Sequence, residues 1–191
     1  MKRWCPALTL EFLMLTLLLP RASLAGTELY GGAGIGYSTF TIKDLNFEGT
    51  ALATRQFVGF HYGDYVGLEF GFTDFGKVSD QVLVTPGQPS ASYNVDTWGY
   101  SLSLVGSYPV NSELEVFGKV GLLRWDSEAS LDPLPLITRT NGDDLMWGLG
   151  VDFRGTGRIH LRVEASFADI KFADSWWVLS TSLIYAIPFG R

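Results

Sequence analysis

The stretch Tyr65–Gly76, YVGLEFGFTDFG, alternates between large apolar side chains and small or polar ones. The large apolar positions are Val66, Leu68, Phe70 and Phe72. Successive side chains of a strand point to opposite faces, so these four share one face and Glu69 lies on the other with two glycines. Glycines beside a carboxylate suit the crowded interior of a narrow barrel. The stretch therefore predicts a membrane strand whose large apolar side chains face lipid.

The same alternation recurs along the chain, which has 191 residues and is 47% hydrophobic with 22 glycines. Each repeat is about ten residues long, the length that a tilted strand needs to cross a bilayer. The pattern predicts an all-β protein, an eight-stranded antiparallel up-and-down transmembrane β-barrel. The predicted strands are Leu29–Tyr37, Ala51–His61, Tyr65–Gly76, Val95–Tyr108, Leu114–Trp125, Asp144–Arg154, Arg158–Ala168 and Trp176–Phe189.

Residues 1–25 have the form of a secretory signal peptide. Lys2 and Arg3 precede an apolar run over residues 12–19, and Ser23 and Ala25 precede the predicted cleavage site. The apolar run is shorter than the roughly 20 residues that a spanning helix needs. The predicted domains are therefore a signal peptide, 1–25, and an outer-membrane β-barrel, 26–191. The single cysteine, Cys5, would leave with the signal, so no disulfide is expected.

The connections between the predicted strands alternate in length. Residues 39–50, 76–94 and 126–143 are long, residues 62–64, 109–113 and 155–157 are short, and residues 169–175 are intermediate. Outer-membrane barrels show this asymmetry, with long loops outside the cell and short turns in the periplasm. We expect any extracellular partner to bind through loops 76–94 and 126–143.

Aromatic residues fall near both ends of the predicted strands, which is typical of the two girdles of a membrane barrel. The short-turn end has Tyr62, Tyr65, Tyr108, Phe153 and Phe189, and the long-loop end has Trp98, Trp125 and Trp177. The soluble alternative, a sandwich or lipocalin-like ligand-binding cup, would have to place Trp98, Trp147, Trp177 and Phe70 inside, with glycine and serine outside.

The sequence resembles the OmpA-type eight-stranded outer-membrane barrels from end to end of the predicted mature chain. The similarity is carried by YVGLEFGFTDFG, LEVFGKVGLLRWD and LGVDFRGTGRIHLRVEASFADI. The resemblance implies a lumen filled by charges, with Glu69 as the central acid and Arg162 as its partner. It adds Lys119, Asp152 and Glu164 to this network. In the family a lysine on the fourth strand offers the acid a second partner, and Val105 stands at that position here.

Alternation alone also brings charges together. Glu69, Lys119, Asp152 and Arg162 lie at similar depths on inward faces, counted from the short turns. An unpaired charge in a narrow lumen costs several kcal/mol, so these groups and Glu164 must pair. Three acids and two bases leave a deficit of positive charge, for which we expect water, Arg55 or His61 to compensate.

These observations predict a monomer in the outer membrane of a Gram-negative bacterium, with outer-membrane lipid around it and a structural or surface-interaction role. OmpA itself has a further periplasmic peptidoglycan-binding domain, and here we expect the barrel alone. A narrow porin-like channel and a lipid A-modifying enzyme are the alternatives. His61 and His160 lack a neighbouring serine in a pattern suited to nucleophilic catalysis, so no enzyme, catalytic residue, metal or cofactor is predicted. The acidic composition, with a formal net charge of −6, argues against nucleic acid.

Overall fold

A computed structural model of the protein describes residues 27–42, 47–82, 91–132, 136–155, 157–169 and 175–189. These residues form eight antiparallel strands that close into a barrel in sequence order. The strands are β1 Thr27–Ile42, β2 Phe47–Tyr62, β3 Val66–Val82, β4 Ala91–Pro109, β5 Leu114–Asp132, β6 Leu136–Arg154, β7 Ile159–Ala168 and β8 Ser175–Phe189. The predicted fold class is confirmed. The predicted signal peptide lies outside the described residues.

The ring closes between the first and the last strand. Thr27 pairs with Phe189 and Thr41 with Ser175, so β1 is hydrogen-bonded to both β2 and β8. Closure leaves no free edge within the ring, which is the condition for a sheet to span lipid. No helix in the described part of the chain is long and apolar enough to cross a membrane.

The outer face of the barrel is apolar. Leu68, Leu102, Leu122 and Leu183 are 53 to 62% exposed, although each belongs to a residue type that usually forms a core. Trp98, Trp147, Trp177 and Phe70 also lie on this outer face. The lipocalin arrangement, which would place these four side chains inside, is therefore not the one that the structure has.

Trp125 departs from the predicted girdle. Its side chain is 3% exposed and packs inside the lumen, where Nε1 donates a hydrogen bond to Asp144 Oδ2 at 2.8 Å. Trp125 has the same parity as Lys119 on β5, so both point inward. Trp98 and Trp177 do face outward, as do Tyr62, Tyr65, Tyr108 and Phe153. The side chain of Phe189 lies outside the described residues.

Three predicted long loops are largely strand. Residues 76–82 and 91–94 continue the β3–β4 hairpin, residues 126–132 and 136–143 continue the β5–β6 hairpin, and β1 and β2 extend over 39–42 and 47–50. In the described residues, β3 pairs with β2 only as far as Asp74, and β6 pairs with β7 only as far as Met146. At the end opposite the short turns, which we call the upper end, β3 to β6 therefore extend beyond the barrel as a four-stranded sheet.

A β-bulge at Phe75 and Gly76 marks the point where this sheet leaves the ring. Asp74 pairs with Trp98 and Gly76 with Thr97, so Phe75 is the additional residue. Gly76 has a φ of 79°, and its N–H donates to Asp74 Oδ1 at 2.9 Å. An extra residue reverses the alternation, so Lys77 points outward and Val78 points into the lumen.

Candidate functional site: the charged layer of the lumen

Six charged side chains meet in the middle of the lumen, and we call them the ion layer. They are Arg55, Glu69, Lys119, Asp152, Arg162 and Glu164, each at most 6% exposed. Five of the eight strands supply them: β2, β3, β5, β6 and β7. The structure therefore brings together every charge that the sequence placed in the lumen.

Glu69 is the centre of the ion layer. Its Oε2 lies 2.6 Å from Arg162 Nη1, and its Oε1 lies 2.5 Å from Arg55 Nη2 and 3.5 Å from Lys119 Nζ. Tyr30 adds a fourth contact, because its hydroxyl donates to Glu69 Oε2 at 3.1 Å. One carboxylate thus faces three cations. Without further acids close by, this group of four side chains would carry a net positive charge.

Those further acids are Asp152 and Glu164. Arg162 donates from Nε and Nη2 to the two oxygens of Asp152, at 2.7 and 2.8 Å. Glu164 forms ion pairs with both Arg55 and Lys119. With Arg55 included, three cations balance three carboxylates, so the ion layer carries no net charge. Buried ions in this arrangement are compensated by pairing and by hydrogen bonds.

Lys119 supplies the second cation that the family's central acid receives from the fourth strand. Val105, which matches the family's fourth-strand lysine, is 1% exposed and pairs directly across the sheet with Lys119. The ammonium therefore reaches Glu69 from the next strand, β5. The second partner of the central acid is retained, but it comes from a different strand and is shared with Glu164.

Aromatic rings from β2 and β5 pack against the cations of the ion layer. The guanidinium of Arg162 lies 4.3 Å from the ring centre of Phe117 and 5.1 Å from that of Phe57. The Arg55 guanidinium also lies over Phe57, at 4.9 Å. Such cation–π contacts add attraction where water is excluded. Rings and ion pairs therefore pack together at this level of the lumen.

A family model described as the OmpA-like transmembrane domain matches residues 25–170. The chain belongs to this family. It is an outer-membrane β-barrel protein, and the Gram-negative outer membrane is its location. A search of curated protein sequences finds no match to this OmpA-like chain.

Solved structures of outer-membrane barrels superpose on this OmpA-like barrel. Ail of Yersinia pestis, in complex with the heparin analogue sucrose octasulfate, has a TM-score of 0.61 at 9% identity, covering 84% of this chain and 99% of Ail. OprG of Pseudomonas aeruginosa gives 0.58 at 16%, with 85% and 96% covered. The N-terminal barrel of OprF from the same species gives 0.55 at 11%, with 85% and 98% covered. At these identities the likeness concerns the fold alone.

Sequence reasoning missed a second ion pair at the short-turn end of the OmpA-like lumen. Arg154 Nη2 lies 2.7 Å from Glu115 Oε2, and Glu115 is 2% exposed. Glu115 has the parity of Lys119, and Arg154 has the parity of Asp152. The alternation that found the ion layer would therefore have found this pair too.

The two histidines also lie at this end, buried and inward-facing as the alternation indicates. His61 Nε2 has no hydrogen-bond partner among the described residues. The described residues also contain no group of three or more His, Cys, Asp or Glu side chains that could hold a metal. The inference that the chain is not an enzyme stays a prediction.

Proposed function

We propose that this protein is a non-conducting outer-membrane barrel that holds its upper hairpins at the cell surface for contact with an extracellular partner. The ion layer carries the first half of the proposal. Its six charges pair with one another across the lumen, leave no net charge, and pack against aromatic rings. An eight-stranded barrel has an interior just wide enough for side chains, so these residues occlude it.

The second half rests on the four-stranded sheet above the ring. Its outer surface is exposed and polar, with ion pairs between Arg139 and Glu128 at 3.0 Å and between Arg124 and Asp143 at 3.9 Å. Trp98, at the level of the upper girdle, lies just below it. Side chains of this kind suit water rather than hydrocarbon, which supports an extracellular position for β3–β6.

The charge of the upper sheet argues against a ligand like the one bound to Ail. Sucrose octasulfate is a polyanion, whereas the acidic residues of the upper sheet outnumber the basic ones on its exposed face. Lys77, Arg124 and Arg139 stand against Asp74, Asp96, Asp126, Glu128 and Asp143. A partner with positive or neutral polar groups fits this surface better.

Two measurements test the proposal together. Purified protein in a planar bilayer should give no channel events above the leak of the lipid alone. An epitope inserted within residues 83–90, between β3 and β4, should bind antibody on intact cells, whereas one in the 110–113 turn should bind only after permeabilisation. Steady channels in the wild type would refute the first half, and an inaccessible 83–90 epitope would refute the second.

A narrow pore is the second candidate, and one observation favours it. Several buried polar atoms at the periplasmic end have no hydrogen-bond partner among the described residues: Thr27 Oγ1, His61 Nε2, Ser107 Oγ and Arg154 Nε. Buried polar groups of this kind are usually satisfied by water. Water in the lower lumen is the first requirement of a pore, and the conductance measurement distinguishes the two candidates.

A further inference from the structure

A second barrier lies in the lumen on the extracellular side of the ion layer. Buried apolar side chains from five strands meet there, and we call them the apolar collar: Phe40, Phe75, Leu123, Met146, Trp176 and Val178. The rings of Phe75 and Trp176 are in contact, with centroids 4.1 Å apart. Phe40 meets Trp176 edge-on at 6.1 Å. The family's charge network does not include these residues.

The space between the collar and the ion layer is small. Arg55, Ser101 and Ser180 line it from the ion-layer side, and Phe75 and Trp176 line it from the collar side. The cavity measures about 30 Å³. On this measure one water molecule needs roughly 10–15 Å³, so the space has room for about two or three. A continuous water column along the lumen would need both neighbouring layers to open, because packed side chains bound the space on each side.

The two barriers differ in physical kind. The ion layer blocks the lumen with paired charges, which can exchange partners without leaving the layer. The collar blocks the lumen with apolar side chains, and an apolar constriction excludes ions because water does not wet it. A rearrangement of ion pairs does not change the collar, since none of the six collar residues carries a charge.

We infer that the apolar collar is an independent second seal in series with the ion layer. Ions then cross the barrel only when both layers are opened. Exchange of partners around Glu69, from Arg162 to Lys119 for example, does not by itself produce a pore in this protein. The inference extends the proposed function, from which it takes only that the wild-type lumen is closed.

A charge-balanced double variant opens the ion layer without creating an unpaired charge. Lys119→Ala with Glu164→Ala removes one cation and one acid, and leaves Arg55 and Arg162 with Glu69 and Asp152. The collar is opened by Phe75→Ala with Trp176→Ala. The matched control is Phe72→Ala with Trp177→Ala, because these neighbours are of the same types and lie on the same strands, while Trp177 faces outward.

Planar-bilayer conductance is measured for each double variant, for the two combined, and for the ion-layer variant with the control. Retention of a heat-dependent gel shift establishes that each is folded. We expect a gain of conductance in the combined variant alone. Channels in the ion-layer variant with an intact collar would overturn the second seal, because the ion layer would then be the lumen's one barrier. Channels in the wild type would instead refute the proposed function.

A thiol placed between the layers tests the same inference without requiring a conducting variant. Ser180→Cys, in an otherwise wild-type barrel, puts a thiol in the cavity, and the one natural cysteine, Cys5, lies in the predicted signal peptide. A charged, membrane-impermeant thiol reagent should not react from either side. When Ser180→Cys is combined with the ion-layer double variant, the reagent should label the thiol from the periplasmic side only. When it is combined with the collar double variant, the reagent should label the thiol from the outside only. Labelling from outside with the collar intact would overturn the inference.

Discussion

At the scale of single residues, Glu69 shows how strongly one buried charge depends on its neighbours. Three cations and a tyrosine hydroxyl surround this carboxylate, which is 1% exposed. Its removal would leave three buried cations against the two remaining acids. Deleting one partner of a buried ion pair costs far more stability than replacing both partners by apolar side chains.

We therefore expect Glu69→Ala to lower the free energy of unfolding by about 3–5 kcal/mol. Urea unfolding in detergent micelles, followed by tryptophan fluorescence, measures this loss. Glu113→Ala is the control, because Glu113 is an exposed acid in the short turn between β4 and β5 and should change stability little. Equal midpoints for the two variants would contradict the central role of Glu69.

Glycines give a second prediction at this scale. A Cβ on Gly34 would lie 2.1 Å from Ser182 Oγ and 2.5 Å from the backbone oxygen of Thr181. A Cβ on Gly106 would meet nothing closer than 4.0 Å. We expect Gly34→Ala to cost about 1–3 kcal/mol through overpacking. Gly106→Ala should be tolerated, and a larger loss at Gly106 than at Gly34 in the same urea assay would contradict this account.

Alternation predicted which charges enter the lumen because parity is a local property of a strand. Glu69, Lys119 and Arg162 follow from it directly. It did not predict which cation each acid contacts, since that depends on how strands far apart in the chain stagger around the ring. Arg55 and Glu164 are 109 positions apart and form an ion pair across the lumen.

At the scale of elements, the strands are longer than the sequence indicated. The reason is physical, because a strand in contact with water on both faces has no need to alternate. Thr138, Arg139, Thr140 and Asn141 of β6 are all exposed, whichever way they point. The hydrophobic period therefore ends at the membrane surface while backbone pairing continues beyond it.

The β3 bulge gives a prediction at this scale. Gly76 has a positive φ, and a Cβ there would lie 2.2 Å from the carbonyl oxygen of Leu52. We expect Gly76→Ala to destabilise the barrel by at least about 1–2 kcal/mol, the usual cost of a left-handed residue with a side chain.

Gly118→Ala serves as the comparison for the bulge. Its Cβ would come no closer than 3.4 Å to a flexible side-chain atom, Leu149 Cδ2. Both variants are unfolded in urea side by side. If Gly76→Ala proved as stable as Gly118→Ala, the bulge would not be a fixed feature of β3.

At the scale of the whole molecule, closure of the ring should make folding an all-or-none property. Every strand is held on both sides within the barrel, so loss of any strand exposes two rows of backbone groups. We expect unboiled protein from the outer-membrane fraction to migrate differently on a gel from boiled protein. A single band of unchanged mobility, or recovery of the protein from the soluble periplasm, would contradict a closed membrane barrel.

Because Thr27 pairs with Phe189, we expect the barrel to close late in folding. These two residues lie at opposite ends of the described chain, so their contact has the largest sequence separation that the fold contains. Contacts of this kind form slowly, because the entropy of closing the intervening loop must be overcome first. The first strand therefore stays unpaired until the last is available, and a carrier that shields its backbone in the meantime would keep it from pairing with other chains.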